Sequence, residues 1–275
     1  MPKNKKVVKT IFVIIISLLI TGFFFFPYLW IVLMSFKSRI DILSLEPKLF
    51  FKPVIDNYSS LFADTDFFHL LKNSTIIVSL TLLISFALGL PVAYALARFK
   101  FKRKEDTAFW VLSLRMAPPM AVVIPYFVIG SLLRVLDTIP ALVVVYLTFN
   151  VPFVIWSMRS FYEEIPKEIE EAAKLDGLNN FQVFFRISTP LVLNGMAATA
   201  ILCTILSWNE FAFALFLTGT KARPVSTMVT MFMTFQGVMW GKMAAATVIA
   251  TIPIIIFTIA ARNWLVRGLT FGAVK

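Results

Sequence analysis

The 275-residue sequence predicts an all-α polytopic membrane protein with six membrane-crossing helices and a cytoplasmic two-helix loop. Composition is the first reason: 59% of residues are hydrophobic and 15% charged, with a mean hydropathy of +0.84, whereas a soluble domain has roughly 45–50% apolar and about 25% charged residues. The second is a series of six apolar runs, each near the roughly 20 residues that carry a helix across the hydrocarbon core. The third is the placement of the 26 Lys and Arg residues, which favours one side of those runs.

In order, the runs are Ile11 to Met34, Ser74 to Ala97, Thr107 to Leu133, Ile139 to Met158, Pro190 to Leu217 and Met243 to Ala261. The first follows Lys3, Lys5, Lys6 and Lys9 but is too long for a signal peptide and lacks a small-residue cleavage site, so it reads as a retained span. Arg115 is the one charge in the third run, and Glu210 the one charge in the fifth. With the N-terminus inside, sixteen Lys and Arg residues lie on cytoplasmic segments and nine on outer ones, most clearly in the short stretch from Arg98 to Lys104. That excess predicts a multi-pass inner (plasma) membrane protein with both termini in the cytoplasm. Pro118, Pro119 and Pro125 cluster in the third run, where missing backbone donors and ring clashes favour an irregular, cavity-lining helix.

The length suits one transmembrane domain over residues 1–275, with outer loops at 35–73 and 218–242, and leaves no room for a nucleotide-hydrolysing domain. The outer segment 35–73 reads as an ordered cap. The net charge of +11 would suggest nucleic acid in a soluble protein, but here it follows membrane topology, so no nucleic-acid partner is expected. One histidine, His69, and one cysteine, Cys203, supply neither a His-rich metal site nor an internal disulfide, and no cofactor is expected. Gly237 to Lys242 falls one residue short of a phosphate loop and has no Ser or Thr after the lysine.

Between the fourth and fifth runs, residues 162–189 are too polar for the membrane and too regular for a plain loop. Pro166 suits a first helical position, Glu168, Glu170 and Glu171 favour the positive helix end, and Gly177 suits a left-handed closing residue. Ile165, Ile169, Ala172 and Ala173 share one face, while Glu170 and Lys174 are placed to pair on a solvated side. Phe181, Phe184 and Phe185 then repeat at helical spacing. An apolar face on an acidic knob fits a protein groove better than anionic headgroups, the surface an interfacial hairpin would use.

Glu171-Ala172-Ala173, then Leu175, Asp176 and Gly177, and later Ile187 and Pro190, resemble the EAA loop of permease subunits of ATP-binding-cassette importers. The pattern departs from the family at Thr189, where a leucine usually precedes the proline. Arg115-Met116-Ala117-Pro118, Trp208-Asn209-Glu210-Phe211 and the tail Arg267 to Lys275 are similar to the carbohydrate branch. The resemblance implies a second similar permease subunit, two ATPase subunits docked on paired loops, and an extracytoplasmic solute-binding protein delivering a sugar or polyol. It further implies that Glu171 engages the ATPase groove, that Ala172 and Ala173 form a close-approach surface, and that Gly177 makes the turn. By the same likeness, loop 218–242 reaches toward the binding protein or simply packs on the helices.

Arg115 and Glu210 either pair with each other or line the solute path, while Glu210 near a helix end also suits headgroup water. Trp208 and Asn209 offer a stacking face and a hydrogen bond to a sugar. Two rivals make different demands: an ion-driven carrier needs coupling residues near the bilayer midplane, and a membrane enzyme needs a nucleophile with its base or paired metal ligands. A permease of the same class carrying a non-sugar solute also satisfies the pattern.

Overall fold

The computed structural model describes residues 3–235 and 237–270. Its helices are α1 (Lys3–Ser35), α2 (Arg39–Ile42), α3 (Asp56–Asp64), α4 (Phe67–Arg98), α5 (Lys104–Ser113), α6 (Pro119–Leu132), α7 (Ile139–Glu163), α8 (Lys167–Leu175), α9 (Asn180–Val183), α10 (Thr189–Leu191), α11 (Leu193–Trp208), α12 (Ala212–Leu217) and α13 (Trp240–Thr270). Among the described residues the one sheet is an antiparallel ribbon, β1 (Met233–Thr234) with β2 (Gly237–Val238), in which Met233 faces Val238. The end of the tail, residues 271–275, lies outside the described residues.

Among the described residues, four helical segments are long and apolar enough to cross a bilayer alone: Thr10–Ser35, Phe67–Arg98, Ile139–Glu163 and Trp240–Ala260. The third and fifth predicted spans are bent pairs instead of continuous rods. Lys104–Met116 meets Pro119–Leu132 at 87°, and Asn180–Leu191 meets Leu193–Trp208 at 75°. The six spans therefore hold when each pair counts as one. At the first break Ala117 and Pro118 are both extended, with ψ of 123° and 131°; two successive prolines remove donors and push the preceding residue out of the helical region. The fifth run also ends its long helix at Trp208, and α12 starts afresh beyond Glu210.

Contacts group the chain into two units, residues 1–67 with 229–252, and 68–228 with 253–275. In the first, the Asn57 side-chain amide donates to the carbonyls of Ser35 and Lys37, both at 2.9 Å, and Lys242 pairs with Asp64. Lys37 is buried with its ammonium 4.7 Å from the Trp30 ring and 5.1 Å from Phe51, where ring quadrupoles replace part of its hydration. These contacts give segment 35–73 an ordered structure. None of the apolar window of α1 falls in the buried core of the chain.

The second unit is organised on α7, which contacts α5, α11 and α12. The buried Asn150 amide donates to Ser207 Oγ at 2.9 Å, and the Ser157 and Thr199 hydroxyls share a hydrogen bond of 2.8 Å, so polar side chains cross-link α7 to α11. Gly89 of α4 supplies a close approach: a Cβ there would lie 2.6 Å from Val154 Cγ1 on α7. One apolar cluster gathers Tyr94, Val154, Met158, Tyr162 and Phe184, and another Ile77, Leu142, Tyr146 and Phe213.

Candidate coupling loop and transport cavity

The loop forms the two short helices that its sequence predicts, with a shift at the start. Pro166 is the residue before the first helical turn, with ψ of 131°, and α8 begins at Lys167. At the other end Gly177 adopts φ +92°, its N–H donates to Lys174 O at 3.0 Å, and the Leu178 N–H reaches back to Ala173 O at 3.1 Å. That pair of bonds closes the last turn through a left-handed residue, which glycine occupies without a Cβ penalty. Asn179 then caps α9 reciprocally with Gln182, both bonds being 2.9 Å, and a π-helical turn, Phe184–Ser188, leads into α10.

The faces of α8 differ from the prediction. Glu170 is buried and makes no solvated pair with Lys174, while Ile169 and Ala172 are exposed. Arg98 Nε donates to both Glu170 carboxylate oxygens at 2.9 Å, Ser188 Oγ donates to Oε1 at 2.7 Å, and Tyr94 OH to Oε2 at 3.3 Å. Arg98 Nη2 also donates to Ile165 O at 2.8 Å. A buried carboxylate requires such compensation, and four donor bonds supply it. Ala173, three residues on, is buried beside this inner face, which removes it from the outward close-approach surface.

Outward remain Glu171, Ala172, Leu175, Asp176 and Gly177, with Leu175 at 90% exposure and Phe181, on α9, at 70%. Ile187 is half-buried and Pro190 exposed. Thr189, the departure from the family pattern, shares a 3.1 Å hydrogen bond with Tyr162 OH and so fastens α10 to the end of α7. The network around Glu170 escaped sequence reasoning because its partners lie 18, 72 and 76 residues away. One signal was present: positions 170 and 173 share a helical face.

The second candidate region is a cavity of about 540 Å³ between the bent α5–α6 pair, α7, α11 and α12. Arg115 and Glu210 both line it, together with Tyr126, Thr148, Phe149 and Phe213. They do not pair. The Arg115 guanidinium lies 4.6 Å from the Phe153 ring centre, whereas Glu210 accepts the N–H groups of Phe213 at 2.9 Å and Ala214 at 3.2 Å, capping α12. Trp208 and Asn209 are not in the cavity wall. Trp208 is buried, and the Asn209 amide donates to Ile205 O at 2.9 Å. The helix break after Trp208 turns Glu210 toward the cavity and leaves these two behind it.

Beyond α6, Asp137 was not singled out from sequence. Its carboxylate accepts the backbone N–H groups of Gly219, Thr220, Lys221 and Ala222 at 2.8–3.1 Å, holding the start of segment 218–242. That segment continues through a 3₁₀ helix, Val225–Phe232, to the β1–β2 ribbon. Phe235 at its tip is fully exposed.

Bent helical pairs around a cavity, with a capped polar loop between the fourth and fifth spans, define a polytopic helical membrane fold. Comparison of folds agrees. A bacterial ABC transporter involved in import of the acidic polysaccharide alginate contains a chain that superposes with a TM-score of 0.75 at 20% identity, covering 96% of this chain and 98% of that one. The inward-facing MetNI methionine ABC transporter gives 0.60 at 16% identity over 71% of this chain and 93% of that one. The family model of the binding-protein-dependent transport system inner membrane component matches residues 89–271, and the chain belongs to that family. Relatives include the trehalose/maltose transport system permease protein MalG of Thermococcus litoralis, 34% identical over 99% of both chains. The trehalose transport system permease protein SugB of Mycobacterium tuberculosis is 35% identical over 95% of this chain and 96% of its own.

Proposed function

We propose that the chain is the membrane-spanning subunit of a sugar or polyol importer powered by separate ATPase subunits that dock on residues 162–189. The observation that carries this reading is the division of α8 into an anchored inner face and an outward ridge of Ile169, Glu171, Ala172 and Leu175. Leu175 exposes an apolar side chain next to acidic Glu171 and Asp176, which suits a protein groove with basic edges. Closure of the ATPase dimer pushes this ridge, and the capped, packed loop conveys the displacement to the helices around the cavity.

The assembly comprises this subunit, a second similar permease subunit, two ATPase subunits and an extracytoplasmic solute-binding protein. The termini and α8 face the cytoplasm, and segment 218–242 faces outward toward the binding protein. Relatives named for trehalose and maltose support the solute class. Aromatic faces beside Arg115 and Thr148 suit hydroxyl-rich solutes, which present both C–H surfaces and hydrogen-bonding edges.

The test is reconstitution with the cognate ATPase and binding protein. Wild-type protein should co-purify with the ATPase and show ATP-dependent uptake of the bound sugar; uptake unchanged without the ATPase overturns the reading. Gly177→Pro removes the turn's N–H and imposes a negative φ, so uptake should fall about 5- to 150-fold, the usual range of a coupling free energy.

A further inference from the structure

We propose that Arg98 and Glu170 form a rigid joint through which α8 moves α4 as one body, so that displacement of the coupling loop reaches the transport helices chiefly through the second span. This deepens the ATPase-docking reading and rests on it. Both side chains are almost fully removed from solvent, at 6% and 5% exposure. A pair serving only to fasten a surface loop would not require this degree of burial.

The geometry is that of a junction of several elements. Arg98 is the last residue of α4, and its guanidinium holds the loop at two places: the Ile165 carbonyl ahead of α8, and the Glu170 carboxylate inside it. Ser188, from the π-helical exit, grips the same carboxylate, and Tyr94, one turn back on α4, donates to its other oxygen. Beneath the polar junction, Tyr94 meets Tyr162 edge-on at 5.4 Å and Phe184 at 5.1 Å, so the ends of α4, α7 and the exit turn share one aromatic base.

Arginine suits this position because a planar fork can serve two acceptors in fixed directions, which a lysine ammonium cannot. The joint is also hard to bend. Separating Arg98 from Glu170 without admitting water would leave two buried charges without their ionic partners, so a push on α8 moves α4 before the contact opens. Arg98 and Glu170 are positioning residues, and neither lines the cavity.

The experiment uses the assembled transporter with its ATPase subunits in lipid nanodiscs, in a Cys203→Ser background, with spin labels on Lys174→Cys of α8 and Val92→Cys of α4. Pulsed electron resonance is recorded without nucleotide and with ATP and vanadate. A narrow distance distribution that keeps its mean in both states is expected, because the helices move together. Glu170→Gln should broaden the distribution and make its mean depend on nucleotide, while the ATPase subunits still co-purify. Wild-type width and mean in Glu170→Gln, or a nucleotide-dependent mean in the unmutated joint, overturn the proposal.

Should Glu170→Gln fail to assemble, Arg98→Lys and Ser188→Ala carry the test. Graded broadening, larger for Arg98→Lys, supports the joint, and wild-type distributions in both overturn it. Failure of the parent complex to co-purify with ATPase subunits would instead reject the docking reading on which the joint depends.

Discussion

Asp137 shows how much one side chain can organise at the outer surface. Burial pushes its carboxyl pKa upward, but the N–H groups of Ala222, Lys221, Gly219 and Thr220 outweigh that and hold it below the ordinary carboxylate value. A carboxylate depressed in the folded state adds stability that is fully present above the unfolded value of about 3.9 and is lost as pH falls through the folded value. In thermal unfolding of detergent-solubilised protein, Asp137→Asn should therefore lower the midpoint at neutral pH, and the gap from wild type should narrow as the pH drops below roughly 4. A gap independent of pH would show that the cradle stabilises by shape alone. Glu170 belongs to the same scale with the opposite surroundings: its donors are side chains, and its sequence neighbours gave no sign of them.

Among elements, α8 was the most legible, because its signals are local. Acidic residues in the first turn and Gly177 at the end act within a few residues of the helix they bound, and the Asn179–Gln182 box, which the structure added, is equally local. Its facing was less legible, since an ion pair from another element turned Glu170 inward and Ile169 outward. The bent α5–α6 pair was foreshadowed by Pro118 and Pro119, but the break after Trp208 depends on Glu210 capping a new helix, which hydropathy does not reveal. Packing of α4 on α7 yields a direct prediction: Gly89→Ala places a methyl 2.6 Å from Val154 Cγ1 and should destabilise by about 1–3 kcal/mol, measured by thermal unfolding. Pairing it with Val154→Ala should recover part of that loss, because the Cγ1 methyl is gone while the Val154 Cβ, 3.0 Å from the added methyl, remains.

For the whole molecule, topology is the property from which the other functional assignments follow. The topology proposed from the charge asymmetry has α8 and the Arg98–Lys104 stretch on the cytoplasmic side, and Leu45, wholly exposed, on the outer side. In a Cys203→Ser background, Lys102→Cys should react with a membrane-impermeant maleimide only in inside-out vesicles, and Leu45→Cys only in right-side-out ones. The reverse pattern would place the coupling loop outside the cell, beyond reach of cytoplasmic ATP. Arg115 and Glu210 show the same dependence on scale: as isolated intramembrane charges they stand out in the sequence, yet one faces an aromatic ring and the other caps a helix, both at one cavity.

By itself the sequence determined a helical membrane protein with a capped polar loop between its fourth and fifth spans, because hydropathy, charge placement and helix-ending residues act over a few turns of chain; that it is a permease rested on the resemblance of residues 171–190 to the loop of a known family. Tertiary structure alone decided which face of that loop is anchored, that Arg115 and Glu210 share a cavity without pairing, and that Trp208 stands outside it. Those outcomes depend on hydrogen bonds and burial between residues tens of positions apart. A buried charge takes whichever partner the fold brings within about 3 Å, and that choice is not written in its neighbours.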